Sequence, residues 1–167
     1  MALRPVLVIP DQRLRQVAKP VKTIDNSVQS LIDDMFETMH HEEGCGLAAP
    51  QIGVGLRVIV MDTSQDIENG LVLALINPVI VDKSKDNQVF KEGCLSVPDQ
   101  SAQVKRSREI IVEYLDREGK KQTLVASDFT ATCLQHEIDH LNGKLYIDYL
   151  SPLKRNIIIN RVNQNYS

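Results

Sequence analysis

The sequence predicts an α+β fold in which mostly antiparallel short strands pack around a buried helix, with N-terminal and C-terminal helices besides. Three observations predict it. Apolar residues recur at helical spacing over residues 25–41, β-rich runs fill the middle of the chain, and a helical stretch after residue 127 is apolar on more than one face.

Over residues 25–41, Val28, Leu31, Ile32, Met35 and Met39 share one helical face while Asp33, Asp34 and Glu37 take the others. This predicts an amphipathic helix that stops near Gly44. Runs at 57–61, 71–76 and 110–115 predict strands, the last turning through Arg117-Glu118-Gly119-Lys120 into a strand at 122–126. The polar stretches 62–70 and 83–88 read as surface loops. A second helix is expected from Ser127 or Asp128 as N-cap to Asn142-Gly143, where glycine supplies a left-handed exit. On it Phe129, Cys133, His136 and His140 form one stripe and Leu134, Ile138 and Leu141 another. Such a helix must be buried, with its histidines turned toward something specific. Ser151-Pro152 then reads as N-cap and first position of a C-terminal helix over 151–167 that carries Leu153, Ile157, Ile158 and Val162.

No repeat, low-complexity tract or linker divides the 167 residues, so 1–167 is expected to form a single domain. With 43% hydrophobic and 25% charged residues the chain has the means to build a core and lacks the profile of a disordered one. A net charge of −3 gives no general pull toward polyanions, so direct sequence-specific nucleic-acid binding is not expected. No run approaches the ~18 apolar residues of a membrane span, and the first residues lack the pattern of a secretory signal. No membrane partner and a cytoplasmic localisation are therefore expected. Cys45, Cys94 and Cys133 are odd in number and widely spread, which fits a reducing compartment better than a disulfide scaffold.

His136-Glu137-Ile138-Asp139-His140 sets two imidazoles one turn apart, within reach of one ion, with a glutamate beside them. A short pattern is weak evidence alone, but burial strengthens it. An unsatisfied buried polar group costs about 1–3 kcal/mol, and one ion would satisfy both rings. A catalytic site needs a third protein ligand and an open position. Cys94, in Glu92-Gly93-Cys94-Leu95-Ser96, is the best candidate; Cys133, one turn before His136, could only line a pocket. The buried helix is thus expected to be a metal-binding helix.

Three blocks, Gly44-Cys45-Gly46-Leu47-Ala48-Ala49-Pro50-Gln51, Glu92-Gly93-Cys94-Leu95-Ser96 and Gln135-His136-Glu137-Ile138-Asp139-His140, strongly resemble the peptide deformylases and stand in that family's order. The likeness extends from Met1 to Leu150-Ser151-Pro152-Leu153. It implies removal of the formyl group from the N-terminal formyl-methionine of new polypeptides, with release of formate. Metal ligands Cys94, His136 and His140 would leave a position for water, whose lowered pKa supplies hydroxide to attack the formyl carbon. Glu137 would act as general acid/base, taking the proton from water and delivering it to the leaving nitrogen. The resemblance assigns the oxyanion to the Gln51 side-chain amide and the Leu95 backbone N–H. Gly44 and Gly46 would allow close backbone approach to substrate.

Phe129, Thr132 and Cys133 are candidates for the wall of a methionine pocket, with Cys45 and Phe90 as additions. Asp139 could orient an imidazole or cap backbone groups, or simply face solvent. Glu92 and Arg106 could form a buried pair that holds the cysteine segment, or a surface pair of little consequence. Many family members carry an arginine shortly after the cysteine block where this sequence has Ser101, so preferences beyond methionine stay open. The donor set accepts zinc, iron, cobalt or nickel, and the resemblance favours Fe(II) in the cell, with Zn, Ni or Co able to substitute. Lys154, Arg155 and Arg161 make the C-terminal helix locally basic, with no Asp or Glu after Asp148, so weak ribosome binding through it is expected beside the alternative of a solvated face. Two rivals remain at this level. A zinc peptidase of the His-Glu-x-x-His type would want a further ligand downstream, where no histidine follows His140, and His40 and His41 lie upstream at a helix end. A binding module with a structural ion would close the coordination with a fourth protein ligand.

Overall fold

The structure, a computed structural model, describes residues 2–166. In chain order it contains α1 (Asn26–His41), β1 (Gly46–Ala48), β2 (Val58–Asp62), β3 (Val72–Lys83), β4 (Asn87–Cys94), β5 (Val97–Ser107), β6 (Glu109–Leu115), β7 (Lys121–Ser127), α2 (Asp128–Leu141) and α3 (Pro152–Tyr166). Strands β1-β2-β3-β6-β7 form one sheet and β4-β5 a separate ribbon, and every pairing between these strands is antiparallel. This is the expected α+β architecture.

The alternation of side chains along β2 explains the layering. Val58 and Val60 point to the face covered by α1, where they meet Leu31, Ile32, Met35 and Met39. Ile59 and Met61 point to the other face and meet Leu134, Ile138 and Leu141 of α2. These four apolar side chains of β2 are fully buried, so a register slip of one residue would exchange the two faces' partners. A third apolar cluster joins Val97 and Val104 of β5 to Tyr146, Ile147, Ile158 and Val162, and fixes α3 to the ribbon. Burying an aliphatic side chain of this kind contributes about 1.5–3 kcal/mol. The central α2 is thereby held between the sheet and the ribbon.

Helix ends agree with their sequence signals. Asp25 caps α1 by accepting from the Val28 N–H at 3.1 Å. Ser127 is the N-cap residue of α2 although its side chain makes no capping bond, and Gly143 takes φ 73° after the helix with its N–H on the His140 carbonyl. Ser151 Oγ accepts from the Lys154 N–H at the start of α3.

One expectation is corrected. The polar stretch 83–88 is not a loop throughout: Lys83 ends β3 and Asn87 opens β4, which leaves a turn at 84–86. The β4-β5 ribbon inverts the usual pattern, since Gln88, Glu92 and Arg106 are buried while Val89 is 56% exposed. An inward polar face conceals a strand from hydrophobic periodicity. The polar stretch 62–70 is a loop after Asp62, the last residue of β2.

Candidate metal centre and active site

Two elements build the centre. The α2 helix buries its Leu134, Ile138 and Leu141 stripe, half-buries Phe129 and His136 on the other, and carries His136, Glu137 and His140, while the end of β4 brings Cys94 across from the ribbon. One donor atom from each of Cys94, His136 and His140 lies within 4.8 Å of the others. Cys94 Sγ is 3.3 Å from His140 Nε2, and the two imidazole centroids are 5.1 Å apart.

The surroundings orient these donors. Nδ1 of His136 lies 2.8 Å from Glu92 Oε1. An ionised carboxylate only accepts, so Nδ1 carries a hydrogen and Nε2 is the nitrogen that would be offered to an ion. Tyr146 stacks on the same ring at 6.0 Å and 23°. Glu92 is fixed in turn by Arg106, whose Nε donates to Oε2 at 2.7 Å and Nη2 to Oε1 at 3.0 Å. Arg106 also reaches Asp139 Oδ2 at 2.9 Å, which accepts from the Tyr149 hydroxyl as well. Asp139 therefore braces the arginine and not an imidazole. Burial penalises the Arg106 charge, yet the two carboxylates outweigh it and raise its pKa.

Burial holds the His140 pKa well below the ordinary range, so the ring is neutral, the form that ligates. Burial also opposes charge on His136, but Cys94 and Glu92 outweigh it and raise its pKa. The same electron-rich neighbours would attract a cation. His140 is 1% exposed and its Nδ1 has no partner among the described residues. Two nitrogens and one sulfur converging in a buried site fit a divalent metal, and three protein donors are the number of a catalytic site.

Glu137 is buried, its Oε1 without a hydrogen-bond partner and 3.9 Å from His140 Nε2. Burial pushes its carboxyl up to about 7. The first block supplies the space for it: a Cβ on Gly46 would collide with Glu137 Oε2. The glycine that the resemblance reserves for substrate also admits the carboxyl. Gly44 is similarly tight, where a Cβ would lie 3.1 Å from Leu95 Cδ1.

Gln51 sits on the short turn Ala49–Ile52, its Oε1 accepting from the Ala48 N–H at 2.9 Å. Its Nε2 donates to Ser96 Oγ at 3.1 Å and faces Cys94 Sγ at 3.6 Å, so the amide donor points at the centre. A cavity of about 680 Å³ opens beside these groups, lined by Gly44, Cys45, Gly46, Gln51, Cys94, Leu95, Phe129, Thr132, Cys133, His136 and Glu137. Phe90 is not in that lining. It packs edge-on against Phe129 with centroids 6.0 Å apart. His40 pairs with Asp62 at the surface, 2.8 Å away, far from a ligand role. Ser96, Tyr146 and Tyr149 are the supporting residues that sequence reasoning did not single out. Ser96 stands in the second block and was available there; the tyrosines follow the helix exit with no local signal.

The chain is similar to known proteins along nearly its whole length. A family model described as polypeptide deformylase matches residues 3–156. Peptide deformylases of Rhizobium meliloti and Bartonella henselae are 52% and 50% identical over 161 residues, covering 96% of this chain and 92% of each of those proteins. A crystal structure of peptide deformylase from Ehrlichia chaffeensis in complex with actinonin superposes with a TM-score of 0.96 at 43% identity, covering 99% of both chains. That of a peptide deformylase from Legionella pneumophila gives 0.92 at 48% identity, covering 98% and 95%.

Proposed function

The chain belongs to the polypeptide deformylase family, and from that membership we propose how its cavity removes formyl groups. It is a metal-dependent hydrolase that takes the formyl group from N-terminal formyl-methionine and releases formate. Cys94, His136 and His140 would hold one divalent ion, which when bound polarises a carbonyl and makes water acidic enough to yield hydroxide near neutral pH. Glu137 accepts the proton of the attacking water and hands it to the departing nitrogen, so that the amine leaves neutral. The observation that carries this reading is the buried, unpartnered Glu137 Oε1 beside the three donors.

The remaining residues hold and stabilise. Gln51 Nε2 and the Leu95 N–H donate to the oxygen that gains charge as the formyl carbon is attacked, and neither group titrates in the working range. Cys45, Phe129, Thr132 and Cys133 form the methionine pocket, with Phe90 supporting Phe129 from behind. Glu92 and Arg106 position His136. Fe(II) is the ion in the cell, with Zn, Ni or Co able to substitute, since the mixed sulfur and nitrogen set suits them all.

Residues 1–167 act as a single catalytic domain in the cytoplasm, where formylated chains emerge from ribosomes. No helix of the described residues is long and apolar enough to cross a membrane. Support for weak ribosome docking comes from α3, where Lys154 and Arg161 are exposed, Arg155 is half-buried, and no acidic residue accompanies them. The test of the reaction assigned is to supply formyl-Met peptides and unformylated peptides to metal-loaded protein. Formate release without cleavage of internal peptide bonds is expected, and internal cleavage would instead favour the peptidase reading.

A further inference from the structure

Two of the cavity's walls meet at a pair of thiols. Cys45 lies between Gly44 and Gly46 ahead of β1, and Cys133 lies on α2 one turn before His136, yet their Sγ atoms are 3.6 Å apart. Both cysteines line the cavity beside the metal donors, and both are unbridged. Neither is needed to hold an ion: the three donors that converge are Cys94, His136 and His140, and Cys45 and Cys133 are outside that group.

We propose that Cys45 and Cys133 form an oxidisable dithiol, a modification site in the cavity wall that a small hydroperoxide converts into a disulfide. A disulfide needs sulfurs about 2.05 Å apart, so the pair must close by about 1.5 Å, within the reach of side-chain rotation on two Cβ–Sγ arms. The chain order of the two residues separates them by 88 positions, so the bond would tie the segment ahead of β1 to the metal-bearing helix.

The two sulfurs differ in reactivity. Either thiol can donate across the 3.6 Å contact, and with Cys133 as donor the contact favours the Cys45 thiolate and lowers its pKa despite burial and the nearby Glu137 and Asp66. Cys133 is raised by that same interaction and by its own burial. Cys45 is also the more accessible of the two, half-buried where Cys133 is buried, so Cys45 is the attacking sulfur and Cys133 the resolving one. The Cys45 thiolate attacks one peroxide oxygen, the O–O bond breaks, and hydroxide leaves with the Cys45 proton to become water. The Cys133 sulfur then attacks the sulfenic sulfur, the S–O bond breaks, and a second water leaves with the Cys133 proton. Two thiols have lost two electrons and the peroxide has gained them. Cys133 is 7% exposed, so the oxidant meets Cys45 first and Cys133 acts from behind it.

The cross-link does not depend on what the cavity binds. Its test uses zinc-loaded protein, whose ion is redox-inert, treated with one equivalent of hydrogen peroxide and analysed intact and by non-reducing peptide mapping. The expected result is loss of two hydrogens from the intact mass, a cross-linked peptide joining Cys45 to Cys133, and full reversal by dithiothreitol. Cys45→Ala and Cys133→Ala should each abolish that cross-link. Addition of oxygen to Cys45 without cross-linking, a bridge that involves Cys94 instead, or thiols left unchanged would each overturn the proposal.

Discussion

Glu92 connects His136 to Arg106: one carboxylate oxygen, Oε1, faces the His136 Nδ1 at 2.8 Å and the Arg106 Nη2 at 3.0 Å. Glu92 and Arg106 are each 6% exposed, so the imidazole that faces the centre is aligned by charges that have left water. Burial pushes the Glu92 carboxyl up, but His136 and Arg106 outweigh it and hold its pKa below the ordinary range.

Glu92→Gln is predicted to keep the fold while weakening metal affinity by about 10–100-fold, the usual effect of removing a partner that orients a histidine ligand. Arg106→Ala is predicted to be worse for stability, by about 3–5 kcal/mol, because it leaves Glu92 and Asp139 without their buried counter-charge. Competition with a chelator reads the first and urea unfolding the second. Unchanged metal affinity in Glu92→Gln would detach the pair from the centre.

These residues also mark what the sequence made legible. That Cys94, His136 and His140 converge, with Glu137 and Gln51 beside them, was readable because these residues stand in short, ordered blocks, and α1 and α2 because apolar residues repeat at helical spacing. The β4-β5 ribbon was not, since it buries Gln88, Glu92 and Arg106 and turns Val89 outward. Its inward face mixes these polar groups, of which Glu92 and Arg106 brace the centre, with Val104 of the core, and hydrophobic alternation is blind to that. The Tyr146 stack on His136 and the Tyr149 contact with Arg106 arise from tertiary placement of the turn Tyr146–Tyr149, for which no spacing rule exists.

Asp34 gives a pH-dependent prediction remote from the centre. Burial raises its pKa, but hydrogen bonds from Arg4 Nε at 3.0 Å and the Ala2 N–H at 2.8 Å outweigh it and lower the folded value. A carboxyl depressed on folding contributes stability that is present above the unfolded value, about 3.9, and is lost as pH falls through the folded one. Asp34→Asn should therefore be less stable than the parent at neutral pH, with the difference shrinking as the solution is acidified below that range. Urea unfolding across pH checks it; a difference that is constant with pH would contradict the assignment.

For α3, co-sedimentation with ribosomes should be weak and should fade as salt rises, because contacts with RNA phosphates release counterions. Alanine at Lys154, Arg155 and Arg161 together should reduce binding at low salt and leave deformylation of free peptides unchanged. Equal binding by both proteins, or binding indifferent to salt, would remove the docking role.

The most direct test of the account is Glu137→Gln, measured for bound metal and for formate release from a formyl-Met peptide in the same preparation. An amide preserves the shape of the side chain and its fit over Gly46 but cannot accept the proton. Metal content equal to the parent, with formate release slower by about 10²–10⁴-fold, is the predicted result. Release within about tenfold of the parent at equal metal content would contradict the role given to Glu137, since a general acid/base contributes more than that.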